Sequence, residues 1–556
     1  MQLSAVSPRL LAPNRRAKLL PLFALLTVWA IAPTPPLLAQ GPTIPSYSLD
    51  VSVDYAGATV QVDQTTRFRN QTGLTLDRAV FQVATAYFGA FQLSQAAAQG
   101  QPASASLDGT VLEVPLPAPL SPGDNAEVHL SYQLTVPHRA GRISAGPSAL
   151  ALGNWYPTLA PHRGAWDRHQ YSEVGDAFVT EVADFDVRLS TSIPLVVASS
   201  GRVIADSGTA FHLQALDVRE FALSLSPGYA VAEAAAGDTA VRAFASSPAR
   251  ARAFAGSAAK FLGWYGQHFG AYPYRGLSVA EVDLPADYGG MEYPGVIFLS
   301  SAVATPSPFE GSSTDSLIGH ETAHQWFYSL VGDDQVNDPW LDEAFAQYLP
   351  LYYYHSTSPA IFDALWSRQL AGLDEKARAA GGLPVDSSIY NFPNDGPYFT
   401  IVYRQGARFL DELRQAMGDA AFEAALVDEV AVFADKLASP RAVLDLFQRH
   451  TPANLNPLIA RYFSYDAFGD QSPPNWRLEV PDSPWRASAP IFIRADFPVT
   501  QAEVWLDSRR LYRGDQNATT LDLSGVEPGD YALLVRVWDQ RGVQFERARR
   551  VAVVGS

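Results

Sequence analysis

Apolar and polar residues alternate along the first part of the chain. Between residues 40 and 241, several separated runs place an apolar side chain at every second position. Alternation of this kind, punctuated by glycine and proline, is typical of β-strands with one buried and one exposed face. We therefore predict an N-terminal β-rich domain over residues 40–241. The runs are Leu49, Val51 and Val53; Val128, Leu130, Tyr132, Leu134 and Val136; Phe185, Val187 and Leu189; and Phe221, Leu223 and Leu225.

The apolar spacing becomes helical after residue 241. Apolar residues three and four positions apart form one face of an amphipathic helix, and a glycine just beyond such a run is expected to end it. Gly418 occupies that position after one of these runs. We predict a mostly helical domain over residues 242–470. The runs are Phe254, Ala258, Phe261, Leu262 and Tyr265, and then Phe409, Leu410, Leu413 and Met417.

A linker and a second β-region follow. Residues 471–475 (QSPPN) have linker composition, and we assign the linker to residues 471–478. Alternation returns in residues 479–556, with residues 528–530 (PGD) as a turn between strands. We predict an immunoglobulin-like or fibronectin-like β-sandwich there. The fold class is thus multidomain α+β, in the order β-domain, helical domain and β-sandwich.

The composition excludes several functional classes. The 556 residues include 40 basic and 57 acidic side chains, which gives a formal charge of −17. A nucleic-acid-binding protein normally carries a basic surface, so no nucleic-acid partner is expected. The absence of cysteine excludes disulfide scaffolds, cysteine zinc fingers and thiol catalysis. Any metal ion must therefore be held by histidine and carboxylate side chains.

The N-terminal segment has the composition of an export signal. Basic residues precede an apolar stretch over residues 19–32, and Ala39 is a small residue suited to cleavage. The stretch is shorter than the about 20 residues needed to span a bilayer. We predict a cleaved signal peptide over residues 1–39, with a retained membrane anchor as the alternative. The mature protein is then exported, periplasmic or secreted, without stable membrane insertion.

The strongest chemical signal is the pair His320 and His324 in the segment HETAH. Residues four apart lie on the same face of a helix, so both imidazoles can reach one metal ion. We expect a helix over residues 317–331, capped near Ser313 or Thr314. Glu321, offset by one position, lies close to the metal without needing to bind it. Two exposed helical histidines without a metal are the simpler alternative.

A second predicted helix offers a third ligand. Asp338 is a good N-cap, Pro339 suits the first helical position, and Glu343 then falls in the first turn. Two histidines and one glutamate from a neighbouring helix complete the ligand set of a catalytic zinc site, with the fourth position left for water. Taken alone, Glu343 is better explained as a carboxylate favoured by the helix dipole, and the HETAH segment makes the metal-ligand interpretation the stronger one.

These two segments resemble the aminopeptidase N and leukotriene hydrolase family of zinc peptidases. The resemblance rests on residues 319–327 (GHETAHQWF) and 340–348 (WLDEAFAQY), with the family's spacing of eighteen residues between His324 and Glu343. It implies a thermolysin-like catalytic domain, a saddle-shaped N-terminal β-domain and one Zn²⁺ per chain. It also implies that Glu321 is the general base.

The family's Asn-Glu-Gly segment is Asp342-Glu343-Ala344 in this chain. We expect Asp342 to orient one of the ligand histidines from behind the metal site, because ligand imidazoles usually donate their second N–H to a carboxylate or carbonyl.

Two further segments resemble motifs of the same family. Residues 289–293 (GGMEY) are similar to its Gly-x-Met-Glu-Asn motif. This implies that Glu292 binds the substrate's α-amino group and that the strand over Gly289, Gly290 and Met291 lies along the peptide backbone. Residues 403–407 (YRQGA) are similar to its Tyr-Glu-Lys-Gly-Ala motif, which implies that Tyr403 stabilises the oxyanion.

The resemblance implies a zinc aminopeptidase that releases N-terminal amino acids from peptides with a free N-terminus. Two alternatives remain at this point. One is a zinc endopeptidase or small-substrate hydrolase on the same scaffold, and the other is a zinc-containing binding protein without catalysis. The sequence leaves the oligomeric state open.

Overall fold

The computed structural model describes residues 44–285, 288–464, 476–481, 484–495, 499–506, 509–516, 518–539 and 544–555. The predicted signal peptide, residues 1–39, lies outside the described residues, and so does the QSPPN segment of the predicted linker. Among the described residues, no helix combines the length and the apolar composition that crossing a membrane requires.

The N-terminal domain consists of strands, as the alternating pattern predicts, with one short helix, α1 (Ala84–Tyr87). The strands are β1 (Ser46–Asp54), β2 (Thr59–Arg69), β3 (Leu76–Gln82), β4 (Phe91–Ala98), β5 (Gln101–Pro102), β6 (Ser106–Asp108), β7 (Val111–Leu120), β8 (Asn125–Thr135), β9 (Ile143–Ala145), β10 (Leu150–Leu152), β11 (Thr158–Leu159), β12 (Ala183–Thr191), β13 (Val196–Ser199), β14 (Arg202–Asp206), β15 (Ala210–Val218) and β16 (Leu223–Ser226).

These strands form three sheets, of order β14-β15-β12-β1-β2-β8-β4-β5, β13-β16-β10-β9 and β11-β3-β7-β6. Strand β1 shows how the pattern sets the register, because Val51 lies opposite Val62 of the antiparallel β2 and Leu189 of the parallel β12. All three side chains are buried, so one face of this sheet faces the domain core.

A five-stranded sheet opens the central domain. Its strands are β17 (Ala230–Ala236), β18 (Thr239–Ala245), β19 (Gly276–Val282), β20 (Gly290–Tyr293) and β21 (Val296–Ser300), and helix α2 (Pro248–His268) connects β18 to the parallel β19. The order is β17-β18-β19-β21-β20, with β20 at the edge. The boundary predicted after residue 241 falls inside β18, since this sheet already begins at β17.

The helices that follow are α3 (Ser313–Ala323), α4 (Trp340–Thr357), α5 (Pro359–Leu370), α6 (Leu373–Ala379), α7 (Asp395–Tyr398), α8 (Gly406–Met417), α9 (Asp419–Phe433), α10 (Pro440–Arg449) and α11 (Asn456–Tyr462). A 3-10 turn (Ile389–Asn391) and a π-helical segment (Phe399–Gln405) lie between them. As predicted, Gly418 follows the last residue of α8, with φ of 85°.

The helix predicted over residues 317–331 has different ends. Helix α3 begins four residues earlier, because Ser312 is its N-cap and accepts a hydrogen bond from the Asp315 amide. It ends at Ala323, since the chain then turns so that the Ser329 amide donates to the His324 carbonyl at 2.9 Å. Helix α4 begins at Trp340, with Pro339 rather than Asp338 at the N-cap position.

The C-terminal strands are β22 (Trp476–Glu479), β23 (Ser488–Ala495), β24 (Val499–Leu506), β25 (Arg509–Gly514), β26 (Ala518–Asp522), β27 (Gly529–Asp539) and β28 (Gln544–Val553). They form sheets of order β22-β23-β26 and β25-β24-β27-β28, which share an apolar core that includes Ile491, Val504 and Val535. Strand β22 overlaps residues 476–478 of the predicted linker, because the chain pairs with β23 from Trp476 onward.

Separate apolar cores support the N-terminal domain, the central domain and the C-terminal sheets. A smaller cluster joins the first two domains behind β20, where Ala151 and Ala222 pack with Met291, Tyr293 and Phe298. The edge strand β20 therefore has the N-terminal domain behind it and helix α3 beside it.

Candidate active site

The two predicted metal-binding histidines lie at the C-terminal end of α3. His320 is in the last turn and His324 is the C-cap residue with φ of −60° and ψ of −14°, so the helical geometry extends just far enough to bring both rings to one side. Their Nε2 atoms are 3.2 Å apart. The Nδ1 atom of His324 lies 3.0 Å from the Phe327 carbonyl, which fixes Nδ1 as the donor and leaves the Nε2 lone pair free.

Helix α4 brings Glu343 to the same point. Its Oε2 atom lies 3.4 Å from Nε2 of His320 and 3.4 Å from Nε2 of His324. Atoms bound to a tetrahedral zinc at about 2.0–2.2 Å lie about 3.3–3.6 Å from one another. The buried Oε2 atom has no hydrogen-bond donor among the described residues. The three side chains therefore have the donor types and spacing of a zinc site.

The electrostatics of the three donors also suit a cation. Burial alone would raise the pKa of Glu343, but the adjacent His320 and His324 lower it to about 2. Burial lowers the pKa of His320, which favours the neutral imidazole that metals require. Burial also opposes a charge on His324, yet the Glu292 and Glu343 carboxylates raise its pKa. The carboxylates that favour a proton at this nitrogen equally favour a divalent cation.

Asp342 lies beside the metal-binding residues, with a carboxylate oxygen within 4.8 Å of a ring nitrogen of His324. Its Oδ1 atom accepts a hydrogen bond from the Glu343 amide at 2.6 Å, and its Oδ2 atom accepts one from Gln335 Nε2 at 2.7 Å. Its hydrogen bonds in the described structure do not include one to a ligand histidine, and the second nitrogen of His324 is held by the Phe327 carbonyl instead. Asp342 thus orients the first turn of α4, which carries Glu343.

His320, His324 and Glu343 are called the metal-binding group below. Glu321 lies next to this group, on the side of α3 that faces β20. It is buried, and burial together with the Glu343 carboxylate raises its pKa to about 8 despite the opposing effect of His324. Gly290 permits this packing, because a Cβ atom at that position would lie 2.3 Å from Glu321 Oε1. Gly289 is restricted by Leu317 in the same way, at 2.8 Å. The glycines of the GGMEY segment thus let the strand approach α3 closely.

Strand β20 also places Glu292 at the site, through its pairing with β21. One carboxylate oxygen each from Asp176, Glu292 and Glu343 lies within 4.8 Å of the others. Burial raises the pKa of Glu292 well above its usual value, and the nearby Asp176 and Glu343 carboxylates add to this. The arrangement concentrates carboxyl groups beside the histidines.

Two residues of this group were not predicted from the sequence. Asp176 is contributed by a loop of the N-terminal domain, and Gln335 lies in the segment between α3 and α4, with its Nε2 atom 3.5 Å from Glu292 Oε1. Neither residue belongs to a spaced motif, and Asp176 is far in sequence from the other side chains, so only the tertiary structure reveals them.

Tyr403 approaches the metal-binding group from the π-helical segment. Its hydroxyl donates a hydrogen bond to Glu343 Oε1, and its ring stacks on His320 with centroids 5.7 Å apart. Phe399, from the first turn of the same segment, packs against the Tyr403 ring, with the two ring centroids 4.8 Å apart. Such π-helical turns are rare and occur frequently at functional sites.

Most of these side chains line one cavity of about 1010 Å³ between the N-terminal and central domains, namely Asp176, Glu292, His320, Glu321, Glu343, Phe399 and Tyr403. Carboxylates from both domains meet on one part of its wall, where Asp176 and Glu292 lie near Glu321 and Glu343. The cavity is large enough for a short peptide, and its wall carries His320 and Glu343 of the metal-binding group together with the acidic residues Asp176 and Glu292.

Residues 254–462 match the Peptidase family M1 domain. The chain carries a peptidase family M1 domain. The M1 domain includes every side chain of the metal-binding group, together with Glu292, Glu321 and Tyr403. The resemblance to the aminopeptidase N family is thereby confirmed.

Known relatives match only part of this chain. The human endoplasmic reticulum aminopeptidase 2 is 29% identical over 185 residues, which are 31% of this chain and 19% of that protein. Rat aminopeptidase N is 36% identical over 95 residues, 16% of this chain and 10% of the relative. The chain thus spans only about a fifth or less of the length of these relatives.

Solved structures show the same fold over a larger part of the chain. The M1 zinc metallopeptidase from Deinococcus radiodurans is 21% identical, with a TM-score of 0.57 over 77% of this chain and 97% of that one. A variant from the same organism, bound to a Tyr-Ser-Ala substrate, gives a TM-score of 0.56 and 22% identity over 76% and 94% of the two chains. The N-terminal β-rich domain and the helical domain together therefore have the two-domain M1 peptidase fold.

Proposed function

We propose that this protein is a zinc aminopeptidase that releases N-terminal amino acids from peptides. The observation that carries the proposal is the juxtaposition of a zinc-type donor triangle with a separate acidic group in one cavity. His320, His324 and Glu343 would hold one Zn²⁺ per chain, and Asp176 and Glu292 extend the acidic surface beyond it. A metal site alone would suit many hydrolases, whereas the acidic extension suits a positively charged substrate group.

Bound zinc would polarise the scissile carbonyl and lower the pKa of a nearby water molecule. Glu321 is placed to take the proton from the attacking water and to pass it to the leaving amine. Two features of the structure support this role. Its carboxylate faces the cavity next to the histidines, and its Oε2 atom has no hydrogen-bond partner among the described residues. A base that must accept a proton needs such a free oxygen.

Tyr403 is placed to stabilise the oxyanion that forms when water attacks the carbonyl. Its hydroxyl reaches Glu343, and its ring stacks on His320 and contacts the tilted ring of Phe399. A donor fixed in this way needs little reorganisation when negative charge develops on the substrate. On substrate binding, the hydroxyl would exchange its bond to Glu343 for one to the oxyanion.

Asp176 and Glu292 are placed to bind the substrate's α-ammonium group, beside the zinc ligand Glu343. Since their oxygens are at most 4.8 Å apart, an ammonium nitrogen between them lies within about 2.8 Å of each. The positive charge also relieves the repulsion among the three carboxylates. Because this group lies beside the metal site, only the first residue of a peptide fits between them, which makes the reaction an exopeptidase reaction.

The experiment that tests the proposal combines metal analysis with a panel of aminoacyl p-nitroanilides on the mature protein. We expect one zinc ion per chain, hydrolysis that a chelator abolishes and zinc restores, and no hydrolysis of N-acetylated substrates. Equal cleavage of acetylated peptides would identify an endopeptidase instead. Zinc binding without any hydrolysis would identify a binding protein.

We also propose export after removal of residues 1–39, which the basic and apolar composition of that segment supports. Mass spectrometry of the protein from an exporting host would test the cleavage at Ala39.

The C-terminal sheets β22-β23-β26 and β25-β24-β27-β28 are antiparallel and share one core, which supports an immunoglobulin-like or fibronectin-like assignment.

A further inference from the structure

A buried polar network connects β20 to the N-terminal domain. It begins at Tyr293, the residue after Glu292, whose hydroxyl donates a hydrogen bond to Asn154 Oδ1 at 3.1 Å. The ring fits only because residue 153 is glycine, since a Cβ atom there would lie 1.9 Å from the Tyr293 hydroxyl oxygen. Tyr293 is also the position at which the GGMEY segment departs from the family motif.

Asn154 is the centre of this network. Its Oδ1 atom accepts a second hydrogen bond, from Arg142 at 3.3 Å, and its side-chain amide donates to Glu220. The other oxygen of Glu220 accepts a hydrogen bond from Tyr328 at 2.5 Å. Asn154 has φ of 49°, a backbone conformation in which asparagine is among the few residues readily accommodated. Sequence and backbone geometry therefore both favour asparagine at this point.

Arg142 extends the network to the catalytic cavity. Its guanidinium donates to Asp176 Oδ1 at 2.7 Å, and the two side chains are 7% and 6% exposed. The guanidinium also lies 5.0 Å above the centre of the Phe178 ring. A charged pair this well buried keeps its geometry, because a broken pair would leave an uncompensated charge out of water.

Asp176 needs such support because the backbone around it gives little. It lies in a segment between β11 and β12 that forms few regular backbone hydrogen bonds. Glu292, in contrast, lies on a paired strand. The distance between these two carboxylates is therefore set largely by the chain of contacts from Tyr293 through Asn154 and Arg142 to Asp176.

We propose that Arg142, Asn154 and Tyr293 are positioning residues that hold Asp176 at the distance from Glu292 that an α-ammonium group requires. The inference rests on the proposed aminopeptidase function and adds that recognition of a free N-terminus depends on the N-terminal domain. Because these residues act on the amine and not on the reacting carbonyl, their loss should weaken substrate binding more than turnover.

The first test is Tyr293→Phe, which removes one hydroxyl and keeps the ring. We expect KM for an aminoacyl p-nitroanilide to rise about three- to tenfold, the usual effect of one buried hydrogen bond. The kcat value and the zinc content should stay within twofold of those of the unaltered protein. Arg142→Lys, which keeps the charge but not the guanidinium geometry, should raise KM further.

Tyr229→Phe is the matched control. Tyr229 is a buried tyrosine whose hydroxyl contacts Ser224 at 2.6 Å and the Glu281 carbonyl at 2.7 Å, and it does not line the cavity. Its replacement removes the same chemical group from a comparable environment. We expect kcat and KM to remain unchanged. An increase in KM that occurs only in Tyr293→Phe is then due to weaker binding of the substrate amine and not to the loss of any buried hydroxyl.

A double variant identifies the target of the network. In an Asp176→Asn background, Tyr293→Phe should raise KM by less than twofold, because the carboxylate that it positions is gone. An unchanged KM in both single variants, or the full increase in the Asp176→Asn background, would overturn the proposal. If Arg142→Lys does not fold, the Tyr293→Phe measurements decide alone.

A binding measurement separates this inference from the proposed function. Calorimetry gives Kd for free L-phenylalanine and for N-acetyl-L-phenylalanine without any turnover. If the unaltered protein hydrolyses no aminoacyl substrate, the proposed function fails. The network is then supported if Tyr293→Phe raises Kd for phenylalanine three- to tenfold, and overturned if Kd is unchanged.

Discussion

The Glu321 carboxylate is close to both histidines, yet it is not one of the three converging metal donors. Its neighbour in sequence, His320, points to the metal-binding group, while Glu321 is turned toward β20 and Gly290. His320 is therefore placed as a metal ligand, and Glu321, one position further along the helix, is placed as a base. The sequence alone supported this division, because residues that follow each other on a helix point about 100° apart.

Glu321→Gln should keep the zinc and lose turnover. The amide has the size of the carboxylate but cannot accept a proton, and general-base catalysis typically contributes 10²–10⁴-fold to the rate. We expect kcat to fall by about that factor while atomic absorption still finds one zinc ion per chain. A variant with nearly unchanged kcat would remove Glu321 from the mechanism.

Tyr403→Phe should lower kcat by about 10²–10³-fold and change KM little, because an oxyanion donor acts mainly in the transition state. The hydroxyl also bonds Glu343, so zinc affinity must be measured in parallel by competition with a chelator. If kcat is unchanged at full zinc occupancy, then Tyr403 only supports the metal ligand.

The approach of strand β20 to helix α3 is the element-scale feature on which the base depends. Gly290→Ala would place a methyl group 2.3 Å from Glu321 Oε1. The flexible carboxylate would be displaced while the backbone stays, so we expect kcat to fall at least about tenfold with little change in Tm. Steady-state kinetics and thermal denaturation measure the two effects.

Gly256→Ala is the control for this substitution. Gly256 lies in α2 on an exposed position, and a Cβ atom there would meet no other atom within 4 Å. Alanine in a helix interior is more favourable than glycine by about 0.5–1 kcal/mol. The control should therefore gain stability slightly and keep full activity. Equal losses in both variants would contradict the proposed packing effect.

The sequence predicted the elements unequally, for physical reasons. Strands with one exposed face, such as β1, show alternation and were found. Strand β21 was hidden in the helical region, because its five residues are all buried and carry no alternation. The ends of α3 were also missed, since its N-cap Ser312 and the turn after Ala323 depend on hydrogen bonds that local patterns do not specify.

At the scale of the whole molecule, the site is assembled from two domains. The histidines and Glu343 could be predicted because their spacing on two neighbouring helices is a local property. Asp176 could not be predicted, since it reaches the site only through the packing of the N-terminal domain behind β20. Sequence thus predicts the metal chemistry, whereas the surroundings that select the substrate require the tertiary structure.

The C-terminal sheets have their own core, so removing them should not disturb the catalytic site. A chain that ends at residue 475 retains the cores of the N-terminal and central domains. We expect its kcat/KM to stay within about twofold of that of the full chain. A loss of more than tenfold in a folded, zinc-loaded truncation would show that the C-terminal sheets support catalysis.

Protonation of Glu220, at the interface between the N-terminal and central domains, makes the stability of the protein depend on pH. Burial raises its pKa from 4.5 to about 7, although hydrogen bonds from Tyr328 and Asn154 and the charge of Arg142 act in the opposite direction. The folded protein therefore binds more protons at this site than the unfolded chain between about pH 4.5 and 7. Its contribution to the free energy of unfolding is greatest below pH 4.5, decreases across that interval and is constant above it.

Glu220→Gln should remove this pH dependence, because the amide does not titrate. We compare the variant with the unaltered protein at each pH. The free energy of unfolding of the variant minus that of the unaltered protein should be higher at pH 8 than at pH 4.5 by up to about 3 kcal/mol, since each pKa unit corresponds to about 1.4 kcal/mol. Thermal denaturation at both pH values measures the difference. Glu233→Gln, at an exposed position, should change stability by less than about 0.5 kcal/mol at either pH. A difference for Glu220→Gln that does not depend on pH would show that Glu220 does not change its protonation across this range on folding.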